Sequence, residues 1–278
     1  MSNQPIDAVY ESAVRKRDML SFEPLKFFMG ASLAGMYVGL AVIFSFTVAN
    51  VFQSSGSAAT ALLGGITFSI ALLMIIIGKA ELFTGNTLYL SMSTLAGKTS
   101  LKDLIFNWGA TYVGNLLGVL FFTLLFVLAG NFAEISSDHF LIQIATKKSN
   151  LTVTELFFRG ILCNWLICLA IWLPLHVKEN GAKITLIIFL VTAFFVSGYE
   201  HSIANMAIFS IALASPHPDT VTLAGAINNI IPVTFGNIVG GAVFVGAVYY
   251  YLNKKVKKKE AFHIIQHANT QEETVYHD

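Results

Sequence analysis

Charged residues are scarce in this chain of 278 residues. Asp, Glu, Lys and Arg make up only 12% of it and hydrophobic residues 55%, whereas soluble domains carry about 25% charged residues. A bilayer core needs about 20 apolar residues per helix. Five stretches have no charged residue at all: 27–78, 104–133, 160–177, 184–199 and 220–253. The composition therefore excludes an ordinary soluble domain and indicates an integral membrane protein.

The charge-free stretches predict an all-α membrane protein with six transmembrane helices, of which the second and fifth are interrupted. The predicted transmembrane domain covers residues 27–252. It follows a polar N-terminal segment, residues 1–26, and precedes a basic, disordered tail, residues 253–278. The predicted spans are 27–52, 58–92, 104–130, 156–176, 184–213 and 231–252.

Cysteines and recognisable catalytic motifs are also few. Cys163 and Cys168 fall on different faces of one predicted helix, so we expect no disulfide between them. The chain contains no HExxH and no GxSxG motif, and Ser202 beside His201 would point away from it on a helix, which disfavours a membrane enzyme. The paired Asn-Pro-Ala motifs of water and glycerol channels are absent too. We expect no cofactor.

Lysine and arginine are distributed unevenly along the predicted spans. With six spans both termini lie on one side, which carries all but four of the 17 Lys and Arg residues. Lys147 and Lys148 lie on the other side, and Lys79 and Arg159 lie in or near spans. The positive-inside rule therefore places both termini in the cytoplasm.

The tail beginning KKVKKK at 254–259 is expected to contact the membrane surface. His263 and His267, further along it, have the spacing of two metal ligands on a helix. No third ligand accompanies them, so we expect no metal site. The net charge of +1 gives no indication of nucleic-acid binding.

Short motifs recur in the same order in the two halves of the chain. Since each half, about 27–130 and 156–252, has three spans, the second must be inverted relative to the first. Chance similarity between glycine-rich apolar segments is the alternative, but inverted repeats with a broken helix in each half are typical of transporters and channels. The paired motifs are FFMG at 27–30 with FFRG at 157–160, GKAELFTGN at 78–86 with SGYEHSIAN at 197–205, and VGNLLG at 113–118 with FGNIVG at 235–240.

The interrupted spans contain the ionisable residues Glu81, Glu200 and His201. A half-helix that starts at mid-depth presents free N–H groups and a positive dipole end, which suit a small anion. We expect His201 to act in the pathway, because histidine changes charge near neutral pH; the alternative is that it only hydrogen-bonds the broken backbone. The glutamates are expected to accept hydrogen bonds from free N–H groups at the half-helix starts.

Four stretches resemble the formate/nitrite transporter family: GKAELFTGN, GILCNWLICLAIW, SGYEHSIANM and NNIIPVTFGNIVGGAVF. The resemblance covers residues 20–252. CNWLICLAIW, together with TLAGAINN at 222–229, most resembles the nitrite channel branch. The hydrosulfide branch shares much of this pattern, and the formate channel has Asp where this chain has Glu81. Lys79 and the long basic tail depart from the family pattern.

The resemblance implies an aquaporin-like protomer, assembled in the lipid bilayer as a homopentamer, with a pore in each protomer for nitrite, or for formate or hydrosulfide. A central histidine, His201, faces Thr84 between two hydrophobic constrictions. The implied pore or substrate-binding residues are His201, Thr84, Asn164, Asn237 and Glu200. The constriction residues are Leu72, Leu82 and Phe83 toward the cytoplasm and Phe68 and Phe194 toward the outside, and the vestibule lysine is Lys148, beside Lys147.

Several glycines are interpreted as sites of close helix packing rather than as pore residues, because small residues let membrane helices approach each other. They are Gly114, Gly118, Gly236, Gly240 and Gly241.

Overall fold

A computed structural model of the chain describes residues 5–130, 132–133 and 135–254, and within these ranges the regular secondary structure is helical. The tail motif KKVKKK beyond Lys254, with His263 and His267, lies outside the described residues. The helices are α1 (Pro5–Phe22), α2 (Pro24–Ser54), α3 (Thr60–Phe68), α4 (Ile70–Ile77), α5 (Phe83–Leu95), α6 (Leu101–Leu128), α7 (Phe140–Ser149), α8 (Val153–Trp172), α9 (Asn180–Val196), α10 (Ser202–Leu213), α11 (Leu223–Val239) and α12 (Val248–Asn253).

Long apolar helices account for most of the predicted spans. Among the described residues, five helical stretches have the length and composition to cross a membrane, and α9 and α10 are shorter apolar helices. A 3₁₀ turn extends α8 to His176, and a π-helical segment, Gly240–Ala247, joins α11 to α12. The five stretches are Pro24–Ser54, Thr60–Ile77, Leu101–Leu128, Val153–His176 and Leu223–Asn253.

Residues 78–82, between α4 and α5, and residues 197–201, between α9 and α10, are not helical. Both segments begin with the same backbone turn. Ala80 N–H donates to Ile75 O at 3.0 Å, and Tyr199 N–H donates to Phe194 O at 3.1 Å. Such a helix end requires a left-handed residue, for which glycine is usual. Gly198, with φ 67°, fills that position in one segment, and Lys79, with φ 53°, fills it in the other.

Two helix pairs pack closely through glycine, α2 with α6 and α8 with α11. A Cβ added at Gly118 would overlap the carbonyl oxygen of Ser32, and one added at Gly236 would overlap that of Phe157. The predicted close contacts at these glycines are confirmed, as are those at the others: Gly114, Gly240 and Gly241. Cys163 and Cys168 are buried, free thiols.

Helices α1 and α7, neither of them predicted from the sequence, lie at opposite ends of α2. The C-terminal part of α2 meets α7, where Asn50 Oδ1 accepts the N–H of Phe140 at 2.9 Å and Gln53 bonds Gln143. Helix α1 precedes the other end of α2 by one residue. Because α2 has 31 residues at about 1.5 Å each, these two ends are far apart, and they are called the α1 side and the α7 side below.

Candidate functional site

Two cavities enter the protein from these opposite sides. The Glu200 cavity, on the α7 side, has a volume of about 240 Å³ and is lined by Lys147, Lys148, Glu200 and His201 among other residues. The Glu81 cavity, on the α1 side, has a volume of about 90 Å³. Its polar and charged lining consists of Ser12, Arg15, Lys16, Lys79, Glu81, Asn86 and Tyr89.

His201 lies at the inner end of the Glu200 cavity and bonds Thr84 of the other half. The distance from His201 Nε2 to Thr84 Oγ1 is 2.9 Å. His201 is 5% exposed and Thr84 is fully buried. The pair therefore joins the starts of α5 and α10, and His201 is the member that reaches a cavity.

The N-terminus of α10 determines which nitrogen of His201 carries the proton. His201 is the N-cap residue, in extended backbone conformation, and its Nδ1 accepts the N–H of Ala204 at 3.1 Å. An accepting nitrogen has no proton, so the neutral ring carries its hydrogen on Nε2. His201 therefore donates to Thr84, and the threonine hydroxyl hydrogen remains for a further acceptor.

Leu82 occupies the corresponding position before α5 and provides no such cap. Its backbone is extended, as at His201, but its side chain makes no hydrogen bond to the start of the helix. The two half-helix starts thus share a backbone path while one presents an imidazole and the other an apolar side chain. Of these two cap positions, only His201 therefore supplies a polar side chain.

Two asparagines fix the chain where the half-helices begin. Asn115 Nδ2 donates to the carbonyls of Ala31 and Glu81, both at 2.8 Å, and its Oδ1 accepts the N–H of Phe83 at 2.9 Å. Such bonds satisfy backbone groups that would be costly to leave unpaired at membrane depth. Each asparagine comes from the repeated Gly-Asn motif of the third predicted span of its half.

Asn237 makes the equivalent contacts in the second half. Its Nδ2 donates to the carbonyls of Gly160 and Glu200 at 2.8 and 2.9 Å, and its Oδ1 accepts the N–H of Ser202 at 2.8 Å. Asn164 Nδ2 lies 2.6 Å from Asn237 O and also meets Thr84 O and Thr87 Oγ1. Neither Asn164 nor Asn237 lines either of the two cavities.

The carboxylates of Glu81 and Glu200 do not cap the half-helices, so the expectation that they accept backbone N–H groups there is wrong. Glu200 instead accepts from Lys148 Nζ at 2.8 Å and from Asn205 Nδ2 at 2.6 Å. The asparagine side chains and His201 take the backbone donors, because they reach the helix starts from the neighbouring helix and from the cap position.

Glu81 has the matching environment in the first half. Its Oε2 accepts from Lys16 Nζ at 2.5 Å and from Asn86 Nδ2 at 3.1 Å. Both lysine side chains are largely buried, at 8% exposed for Lys16 and 12% for Lys148. Each cavity therefore has a lysine–glutamate ion pair in its lining.

Of the five apolar residues named from the sequence, four line one of the two cavities and Phe83 lines neither. Phe68 and Phe194 line the Glu200 cavity, with ring centroids 5.9 Å apart, and the ring of Phe194 stacks on His201 at 6.2 Å. Leu72 and Leu82 line the Glu81 cavity. Phe83 is buried against Tyr112, with ring centroids 5.0 Å apart.

Sequence analysis missed Lys16 and Asn115 as members of this site. It predicts Asn86 and Asn205 as polar partners of the broken backbone, whereas their amides bond the carboxylates of Glu81 and Glu200. Asn86 and Asn205 each follow their glutamate by five residues, in ELFTGN and EHSIAN. That repeated spacing was the available signal, as the repeated Gly-Asn pair was for Asn115. Within the described ranges, no three His, Cys, Asp or Glu side chains are grouped to hold a metal ion.

Comparison with known proteins gives a consistent result over nearly the whole chain. The family model described as formate/nitrite transporter matches residues 3–251. An uncharacterized transporter of Bacillus subtilis, YwcJ, is 40% identical over 91% of this chain and 99% of its own length. The nitrite transporter NirC of Salmonella typhimurium is 38% identical over 93% of this chain and 94% of its own length.

Two solved structures resemble the fold. One, described as an FNT family ion channel, superposes with a TM-score of 0.85 at 38% identity, covering 90% of this chain and 99% of that one. The other, described as a pentameric formate channel with formate bound, gives a TM-score of 0.71 at 32% identity, covering 83% and 98%.

Proposed function

Because this multi-pass membrane protein belongs to the formate/nitrite transporter family, we propose that it conducts small monovalent anions, nitrite first, through a pore in each protomer. The path runs from the Glu200 cavity past His201 and Thr84 to the Glu81 cavity. The observation that carries the proposal is the His201–Thr84 pair, at 2.9 Å, placed at the inner end of a cationic cavity.

Positive charge at each entrance favours the entry of an anion. The Glu200 cavity is lined by Lys147, Lys148 and Arg159 against one carboxylate, Glu200. The Glu81 cavity also has three cations and one carboxylate. A cleft lined by one sign of charge raises the local concentration of the opposite ion.

The segment between the cavities is apolar apart from a few polar groups, and a bare anion is costly there. Phe68 and Phe194 narrow one approach, and Leu72, Leu82 and Phe83 narrow the other. Thr84 offers its hydroxyl hydrogen to the substrate, and His201 offers the Nε2 hydrogen when the substrate displaces its bond to Thr84. The anion crosses either as such or as the transiently formed neutral acid. The proton of that acid comes from the solvent at the cavity mouth and returns to solvent on the far side, because the neutral imidazole donates a hydrogen bond and not a proton.

The other family members set the alternatives of substrate and assembly. The similarity to NirC favours nitrite, and the likeness to a formate channel keeps formate as the second candidate; hydrosulfide is the third. We propose a homopentamer of aquaporin-like protomers, each built from two inverted three-span repeats with broken second and fifth helices. We place it in a bacterial inner membrane with both termini cytoplasmic.

Substitutions that separate capping from pore chemistry test the role of His201. Asparagine is a favoured N-cap residue, so His201→Asn keeps a side-chain acceptor for the start of α10 but removes the imidazole. We expect nitrite flux into proteoliposomes to fall at least about tenfold in His201→Asn and in His201→Ala. That loss corresponds to about 1.4 kcal/mol of barrier. Thr84→Val should reduce flux less.

His176→Ala is the matched control, because His176 is exposed on the α1 side and lines neither of the two cavities. Nitrite, formate and hydrosulfide are compared in parallel at two pH values. Wild-type rates and wild-type pH dependence in His201→Asn would refute the proposed role. Faster formate or hydrosulfide flux would change the substrate and leave the pathway in place.

A further inference from the structure

Lys79 has a left-handed backbone conformation that residues other than glycine rarely adopt. Its φ of 53° is the one positive value at a non-glycine residue in the part of the chain that the structure describes. The corresponding residue of the second half is Gly198, at φ 67°. A side chain in this region crowds the backbone, so glycine is the usual residue there. The lysine therefore has to be explained by what its side chain does.

The side chain of Lys79 is exposed and lines the Glu81 cavity, as does that of Arg15. Lys16, the third cation of this cavity, is already bonded to Glu81. Within the described ranges, no carboxylate oxygen lies within 4 Å of Lys79 or Arg15. Their two positive charges thus face the cavity without an ion-pair partner.

We propose that Lys79 and Arg15 form an anion-collecting site at the entrance of the Glu81 cavity. Its ligands are small monovalent oxyanions and carboxylates, held in water before they enter the apolar segment. This site rests on the proposed function, since it loads the same pathway. Lys79 belongs to the entrance rather than to the crossing point, so it sets the apparent affinity from the α1 side and leaves the limiting rate unchanged.

The two mouths differ in how their outer cations are held. On the α7 side, Arg159 bonds Glu155 at 3.1 Å and Lys148 bonds Glu200, so that only Lys147 of the three cations has no carboxylate within 4 Å among the described residues. On the α1 side, Lys79 and Arg15 have no such carboxylate among the described residues. A solvent-exposed charge acts over about 10 Å at 0.1 M ionic strength. The collecting effect should therefore weaken as salt is added.

The test is nitrite flux measured separately from each side in proteoliposomes that contain the full chain in one orientation. Lys79→Gln removes the charge and keeps the length of the side chain. We expect it to raise the KM for nitrite from the α1 side about threefold to tenfold at low ionic strength. The limiting rate and the KM from the α7 side should stay within about twofold.

Three further variants separate charge from backbone strain. Lys79→Arg should keep the wild-type KM, because it keeps the charge. Lys79→Gly should show the KM of Lys79→Gln together with a higher unfolding temperature. Lys98→Gln, at an exposed lysine that lines neither of the two cavities, should leave the KM unchanged.

The collecting site is overturned, and the proposed function stands, if Lys79→Gln has the wild-type KM. The same holds if Lys79→Gln changes the KM no more than Lys98→Gln does. A rise in KM that persists at about 1 M salt, where the Debye length is about 3 Å, would also overturn it. No flux of nitrite, formate or hydrosulfide in the wild type would overturn both proposals.

Discussion

At the scale of single residues, corresponding positions in the two halves carry different chemistry on the same backbone. His201 and Leu82 are both extended residues at the N-terminus of a half-helix, and each follows a buried glutamate. The glutamates have matching partners, whereas the cap residues do not. The two lysine–glutamate pairs, which match, thus belong to the scaffold. The two cap positions differ, and they place a polar side chain at His201 and an apolar one at Leu82.

The ion pair of Lys148 and Glu200 gives a prediction about stability. The side chain of Glu200 is 3% exposed, so Lys148→Gln leaves a buried carboxylate with the amide of Asn205 as its remaining donor. Breaking a buried pair costs about 3–5 kcal/mol, which corresponds to a fall of about 10 °C in unfolding temperature for a chain of this size. The double variant Lys148→Gln/Glu200→Gln should recover most of the loss, because no buried charge remains.

Thermal unfolding in detergent of the two single variants and the double variant checks this coupling. The matched set on the α1 side is Lys16→Gln, Glu81→Gln and their double variant. We expect the same pattern there, with a loss in each single variant and recovery in the double variant. If the losses in unfolding temperature of the two single variants add in the double variant, the two charges do not stabilise each other.

At the scale of helices, sequence analysis predicted the transmembrane elements better than the contacts between them. The charge-free stretches predicted the ends of the apolar helices to within four residues, because a bilayer sets the length of an apolar helix. The exception is the helix predicted to begin at 231, which begins at Leu223. Helix α1 was missed, since its buried stripe of Ile6, Val9, Ala13 and Leu20 is thin and lies in a polar segment. Lys16 was counted as a surface cation because its partner, Glu81, is 65 residues away.

The close packing of α2 with α6 gives a prediction at this scale. Gly118→Ala places a methyl group against the carbonyl of Ser32, and a backbone oxygen cannot move aside as a flexible side chain can. The two helices must separate, which should lower the stability by about 1–3 kcal/mol. The unfolding temperature in detergent should fall accordingly.

Gly109→Ala, in the same helix, is the control. A methyl group there meets nothing within 4 Å, and alanine favours a helix over glycine by about 1 kcal/mol. The unfolding temperature of this variant should stay level or rise. An equal fall in unfolding temperature in both variants would mean that the loss does not come from the contact between α6 and α2.

At the scale of the whole molecule, the uneven distribution of Lys and Arg agrees with the placement of the elements. Helix α1 lies beside the loop before α6, where Arg17 donates to Lys98 O at 3.3 Å. That loop belongs to the lysine-rich side expected from the sequence. Lys147 and Lys148 lie on the α7 side, at the far end of α2. Both observations agree with the six-span orientation proposed above.

Single cysteines can test this orientation, because both native cysteines are buried. Ser55→Cys and Ser137→Cys place exposed thiols on the α7 side, and Lys98→Cys and Glu179→Cys place them on the α1 side. In intact bacterial cells a membrane-impermeant maleimide should label the first two and spare the others, and inverted vesicles should reverse the pattern. The wild-type chain should stay unlabelled in both preparations. The physical reason is that positively charged loops are retained in the cytoplasm during insertion. Labelling of Lys98→Cys from outside the cell would reverse the orientation, and the Lys79 entrance would then load from the extracellular face.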